Sequence, residues 1–213
     1  MKKVVVVNYG MGNIKSVMRG IAQVGSTAVL SQGPDDIRNA DRVILPGVGA
    51  FEDGMNELRQ RSLDIALADF IQTGRPLLGI CLGMQMLLDE SEEHGKHEGL
   101  GFIPGRVVQI PQEVSGVVVR KIPHIGWSAL HYSAQQKEWT GSVLETTKVG
   151  DYFYFVHSFM ANPDDNAHVI AQCEYEGLAI TAVLKKDNIT ACQFHPEKSG
   201  PSGLEILDCF TNS

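Results

Sequence analysis

Two clusters of chemically capable side chains lie far apart in this chain. The first is Gly79-Ile-Cys81-Leu-Gly83, a thiol between two glycines that each stand two positions away. The apolar residues 77–80 suit a buried parallel strand, and residues 84–88 suit the start of a helix. A strand that reverses directly into a helix strains its central residue. Glycine two positions to either side removes the Cβ atoms that would collide there. This is the pattern of a nucleophile elbow, with sulfur in place of the serine oxygen. A thiol at a helix N-terminus meets unpaired N–H groups and the positive end of the helix dipole, a setting that favours a thiolate. The pentapeptide alone fits a small buried cysteine in a glycine-rich turn equally well.

The second cluster is Gln193-Phe-His195-Pro-Glu197-Lys-Ser199. Positions two apart in an extended segment face the same way. Pro196 fixes its own φ and biases His195 to extended backbone. The sequence therefore presents an imidazole and a carboxylate side by side, the pairing that a general base and its orienting acid require. Alone it would pass for a surface turn. With the elbow it completes a Cys-His-Glu triad: Cys81 as nucleophile, His195 as proton carrier, Glu197 as its orienting acid.

These side chains need a scaffold. Residues 3–8 are a β-branched run typical of a strand buried on both faces, followed by Gly10, Gly12 and a helix to about residue 24. Lys15 stands where a dinucleotide fingerprint would have its third glycine, so the glycines read as a tight loop. Residues 27–31 and 42–45 are further strands. The latter runs into Pro46-Gly-Val-Gly49, where two glycines let the backbone turn its N–H groups toward a ligand and leave a peptide free to rotate. Residues 51–72 read as two helices, Gly74 as their cap and Pro76 as the start of the elbow strand. The alternation predicts an α/β fold: a mostly parallel central sheet with helices on both faces. Ligands then bind beyond the carboxyl ends of the strands, where the elbow and both glycine loops lie. Residues 91–101 are polar and predict a solvated loop; their histidines and glutamates have no metal-site spacing. From residue 102 short β runs at 106–110, 117–119, 152–156, 168–173 and 178–184 predict added antiparallel hairpins. Residues 188–194 return to a buried strand, and 203–210 close the chain as a short helix. With no repeat or linker, residues 1–213 read as one domain.

The composition bounds the function. The 213 residues carry a net charge of −7, which argues against nucleic-acid binding as the main activity. No apolar run approaches the length needed to span a membrane. The run at residues 4–7 is too short for a signal peptide. Cys81, Cys173, Cys192 and Cys209 form no Cys-x-x-Cys pair and fit a reducing cytoplasm; the last three read as core residues.

Gly79-Ile-Cys81-Leu-Gly83-Met-Gln85 with Phe194-His195-Pro-Glu197 resembles the class I (triad) glutamine amidotransferases, whose fold is flavodoxin-like. Pro46-Gly-Val-Gly49 resembles their oxyanion strand. Four further motifs resemble the branch of that family serving imidazole glycerol phosphate synthase: Asn8-Tyr-Gly-Met-Gly-Asn13, Pro123-His-Ile-Gly-Trp127, Tyr154-Phe-Val-His-Ser158 and His195-Pro-Glu-Lys198-Ser199. The match runs from Val5 to the C-terminal helix. Ser128 departs from the usual asparagine and Phe159 from a frequent tyrosine.

The resemblance implies hydrolysis of glutamine to glutamate and ammonia, with no metal or organic cofactor. It implies oxyanion donors at Gly47, Val48, Gly49 and Leu82. Gln85, His157, Ser158 and Phe159 would position glutamine. The implied partner is a (β/α)8-barrel cyclase in a 1:1 heterodimer. The cyclase would use the ammonia to make imidazole glycerol phosphate and the aminoimidazole carboxamide nucleotide. Tyr9, Met11, Asn13, Pro123, His124, Trp127, Lys198 and Ser199 would form the interface. Trp127 fits either an exposed anchor or a core residue. Other branches of the family feed other ammonia-using synthases. A catalytically silent regulatory subunit is a further alternative, against which the intact Cys81, His195 and Glu197 argue.

Overall fold

The computed structural model describes residues 2–114 and 117–212. The first half alternates strand and helix. Its elements are β1 (Val4–Val6), α1 (Ile14–Gln23), β2 (Ala28–Leu30), α2 (Pro34–Arg38), β3 (Arg42–Gly47), α3 (Phe51–Gln60), α4 (Leu63–Gln72), β4 (Leu77–Cys81) and α5 (Leu82–Met86). Strands dominate the rest: β5 (Leu88–Ser91), β6 (His97–Glu98), β7 (Ile103–Gln109), β8 (Glu113–Val114), β9 (Val117–Val118), β10 (His124–Ala129), β11 (His131–Tyr132), β12 (Tyr152–His157), β13 (Phe159–Pro163), β14 (Val169–Tyr175), β15 (Leu178–Lys186) and β16 (Ile189–Cys192). Helix α6 (Gly200–Asn212) ends the chain.

The main sheet has eight strands in the order β11-β14-β15-β16-β4-β3-β1-β2. From β2 through β1, β3 and β4 to β16 the pairing is parallel; from β16 outward to β11 it is antiparallel. The period-2 pattern of the central strands supplies two cores. Val4, Val6, Ile44, Leu78 and Ile80 pack with Val17 and Ile21 of α1 and with Ile206, Leu207 and Phe210 of α6. Val5, Val7, Val43, Leu45 and Leu77 join the other cluster, with Ile37 of α2, Met55 and Leu58 of α3 and Leu67 and Phe70 of α4. Each such side chain contributes about 1.5–3 kcal/mol when fully buried. The predicted parallel sheet with helices on both faces is therefore present, and the two helices of residues 51–72 are separate.

The structure departs from the sequence reading in several places. Helix α5 is a single turn that ends at Met86, short of the helix expected over residues 84–88. The chain is captured there by a second sheet. The Leu87 carbonyl accepts the N–H groups of Phe102 and Ile103. Beyond it, β5 sits between β6 and β7 in the order β13-β7-β5-β6. The polar stretch 91–101 is thus partly strand, with Ser91 fully buried. Strand β10 pairs with β12 across the intervening residues 130–151, rather than with a sequence neighbour. Strand β3 also continues through Pro46 to Gly47. The run at 117–119 is strand only at 117–118, beside residues 115–116, which lie outside the described residues.

Candidate active site

Cys81 is the last residue of β4 and the N-cap of α5, with φ 54° and ψ −110°. A non-glycine residue holds this conformation only where its surroundings over-determine it. The flanking glycines do so. A Cβ on Gly83 would collide with the Leu45 carbonyl oxygen. One on Gly79 would lie 2.8 Å from Leu87 Cδ1 and 3.1 Å from the Gly83 backbone. The thiol is 6% exposed. Cys173 and Cys192 are buried too, and burial pushes the Cys173 thiol up to about 12 and Cys192 well above its usual range. Cys209 is only half-buried, because α6 turns it away from the core toward the Ser142 carbonyl.

The His195 turn is stapled to β12. The His195 N–H donates to the Tyr154 carbonyl at 3.0 Å. The Ser199 hydroxyl donates to the His195 carbonyl at 2.6 Å and accepts the Tyr154 N–H at 3.0 Å. This aims the imidazole at the elbow, and Nδ1–H donates to Glu197 Oε1 at 2.8 Å. Both side chains are shut from solvent, at 2% and 1% exposure. Asn13 Nδ2 donates to the same carboxylate oxygen at 3.4 Å. Burial pushes the imidazole pKa down, but the neighbouring Cys81 sulfur and the Glu197 carboxylate outweigh it and hold His195 at about 9. Its Nε2 is buried without a formed hydrogen bond.

A cleft of about 310 Å³ opens beside the sulfur. Val48, Gly49, Cys81, Leu82, Gln85, His157, Ser158 and Phe159 line it, with Glu93, Pro123 and Val156. Gly47 is not part of this wall. It pairs with Cys81 in the β3–β4 register, and a Cβ there would meet the Tyr9 hydroxyl and Leu82. Gly47 is thus held by the strand pairing, whereas Gly49 lies at the loop end with φ 108°. Gln85 and His157 both reach the Phe159 carbonyl: Gln85 Nε2 donates to it at 3.0 Å and His157 Nδ1 at 2.8 Å.

Sequence reasoning missed Glu93 and Gln193. Glu93 lay in the stretch read as loop; its carboxylate accepts the Phe51 N–H at 2.7 Å, at the start of α3. Gln193 is fully buried, and its Nε2 reaches Cys81 Sγ at 3.7 Å. Its position two residues before His195 was the available signal.

Three of the expected interface residues are interior. Tyr9 is fully buried because its hydroxyl donates to the Pro46 carbonyl; burial, with a contribution from Cys81, pushes the phenol pKa up. His124 is buried between Phe155 and Tyr175, stacked on both rings. Ser199 is consumed by the staple described above. Met11 and Asn13 are half-buried, while Pro123, Trp127 and Lys198 are exposed. Trp127 is 53% exposed, so it is not a core residue. It packs edge-on against Tyr154, over which Lys198 Nζ sits at 5.9 Å from the ring centroid.

A strained cysteine elbow on a mostly parallel sheet, facing a buried histidine–carboxylate pair, defines a class of protein. The sequence family described as Glutamine amidotransferase class-I matches residues 5–212, and this chain belongs to that family of enzymes. Its relatives narrow the branch. It is 45% identical over 210 residues to the imidazole glycerol phosphate synthase subunit HisH 1 of Legionella pneumophila (strain Lens), covering 99% of both chains. It is 42% identical over 211 residues to the subunit HisH of Geobacter sulfurreducens, with 99% and 98% coverage. The Aquifex aeolicus HisH is 41% identical over 209 residues, with 98% and 95% coverage. Among solved structures, that of PurLQS from Thermotoga maritima shares the fold with a TM-score of 0.73 at 19% identity, covering 100% and 99% of the two chains.

Proposed function

We propose that this chain is the glutaminase subunit of an imidazole glycerol phosphate synthase. In this reading it hydrolyses glutamine and passes the ammonia to a (β/α)8-barrel cyclase subunit in a 1:1 heterodimer. The observation that carries the proposal is the thiol at a strained elbow beside a buried imidazole–carboxylate pair, in a chain over 40% identical to HisH proteins along its whole length.

The geometry supports the following mechanism. Cys81 Sγ attacks the side-chain amide carbon of glutamine. The C–N bond breaks as His195 gives its Nε2 proton to the departing ammonia, leaving a γ-glutamyl thioester. Water then attacks the thioester, losing a proton to His195, and the C–S bond breaks to regenerate the thiolate. Glu197 holds the imidazole orientation through Nδ1. Backbone N–H groups at Leu82 and along Val48 and Gly49 are the oxyanion donors, each worth about 3 kcal/mol in such a site. Ser158 and Phe159 form the opposite wall, and the Glu93 carboxylate suits the substrate's α-ammonium.

The outer face of the β10–β12 ribbon supports a docking role. Ile125, Trp127 and Tyr152 are 58%, 53% and 60% exposed on it, close to the cleft. Lys198 adds a charge at the edge. The eight-stranded sheet shared by both cores supports reading the chain as one domain. No described helix is long and apolar enough to cross a membrane. The absence of Cys-x-x-Cys pairs from the sequence supports a cytoplasmic site of action. The test is glutamate release from glutamine by the chain mixed with the cyclase of its own genome, with complex mass measured by sedimentation. Glutamate release, and a mass equal to one copy of each, would bear the proposal out. Absence of turnover in a folded complex, or no complex at all, would refute it.

A further inference from the structure

The cleft is backed by a run of hydrogen bonds in which donor and acceptor roles are forced. The Phe159 carbonyl can only accept, so His157 carries its proton on Nδ1 and Gln85 presents its NH2 group. The Nε2 of His157 is then an acceptor for His124 Nδ1–H at 3.1 Å, and His124 Nε2 accepts the Ser128 hydroxyl at 3.0 Å. In the other direction, the second hydrogen of Gln85 Nε2 goes to Gln193 Oε1 at 3.0 Å. That fixes the Gln193 amide with its NH2 toward Cys81 Sγ at 3.7 Å. Turning the amide over would set NH2 against NH2 and a carbonyl oxygen against sulfur.

We infer that Gln193 is a positioning residue of the proposed reaction, a fixed N–H donor that holds the Cys81 sulfur and stabilises it as an anion. The inference rests on the glutaminase reading. A sulfur in a thioester is a weak acceptor, whereas a thiolate is a strong one. The bond from Gln193 therefore strengthens when the C–S bond breaks and the electron pair returns to sulfur. His195 is occupied at that moment with the proton from water, so it does not serve the sulfur. Gln193 does, from a fully buried position. The expected result of losing the donor is slow breakdown of the thioester with glutamine binding retained.

Gln193→Glu keeps an oxygen for Gln85 and removes the donor; Gln193→Met removes both. The assay uses the complex with the cyclase, following glutamine turnover, its KM and the burst of p-nitroaniline from L-γ-glutamyl p-nitroanilide. Melting of each variant checks its fold, and the near-isosteric Glu variant carries the test should the Met variant not fold. The inference predicts that Gln193→Glu lowers kcat at least about tenfold, the lower end for one charge-assisted hydrogen bond, with KM changed less than about threefold. The burst should persist and the steady rate fall. Unchanged kcat, or a raised KM with unchanged kcat, would overturn it. A wild-type complex with no glutamine turnover would instead strike at the glutaminase reading itself.

Discussion

Among single residues, His195 shows how two neighbours set a proton's affinity. Burial alone would make its imidazole a weak base, yet Cys81 and Glu197 hold it at about 9. The imidazolium is then the resting form at neutral pH, which suits the proton-donor role proposed for it. Replacing Glu197 with Gln removes the carboxylate charge at Nδ1 while keeping an acceptor there. The imidazole pKa of Glu197→Gln, followed by NMR titration, should fall below about 9. An unchanged titration would mean that Glu197 does not hold the proton. The bend at Cys81 and the pairing of His195 with Glu197 were legible in the sequence because their cues are local: glycines at fixed offsets, and a proline between two polar side chains. Tyr9, His124 and Ser199 were misread as surface residues because what buries them lies far away in the chain. A polar side chain looks exposed until Pro46, Tyr175 or Tyr154 supplies its partner.

At the scale of elements, the elbow depends on Gly83. A Cβ there has only the Leu45 backbone to displace, which cannot yield as a side-chain tip would. Gly83→Ala should cost more than about 2 kcal/mol of stability, measured by chemical denaturation, and lower turnover in the same protein. A variant with native stability would show that the bend tolerates a side chain. The β10–β12 ribbon belongs to this scale too. Its inner face is closed by Phe153, Phe155 and His124, and its outer face leaves Trp127 open. Trp127→Ala should leave the melting temperature of the subunit nearly unchanged and weaken cyclase binding at least about tenfold, equivalent to roughly 1.4 kcal/mol. Early melting with normal binding would contradict the docking role. The ribbon itself was not legible, since β10 finds its partner across residues 130–151 and no local pattern announces such a pairing. The same holds for α5, which ends after one turn because β7 captures the chain beyond it.

For the whole molecule, buried histidines set a pH window for stability. His124 and His157 are pushed down to about 4 and about 3, chiefly by burial, so both fold neutral. As pH falls below about 6.5 the unfolded chain takes up protons that the fold refuses, and stability drops through about 4 toward 3. His195 works in the opposite sense. Its contribution is complete below about 6.5 and is lost as pH rises through about 9. Denaturation across pH should show stability decline on both sides of this window, and a flat profile from pH 4 to 7 would contradict the neutral histidine pair. The central claim, that Cys81 generates ammonia for use by a partner, has a more direct test. In the complex with the cyclase, Cys81→Ala should lose synthesis driven by glutamine while synthesis driven by added ammonium salt stays at the wild-type rate. Retained glutamine-driven synthesis would contradict the claim for the thiol, and loss of the ammonium-driven rate in a folded complex would contradict the division of labour between the two subunits.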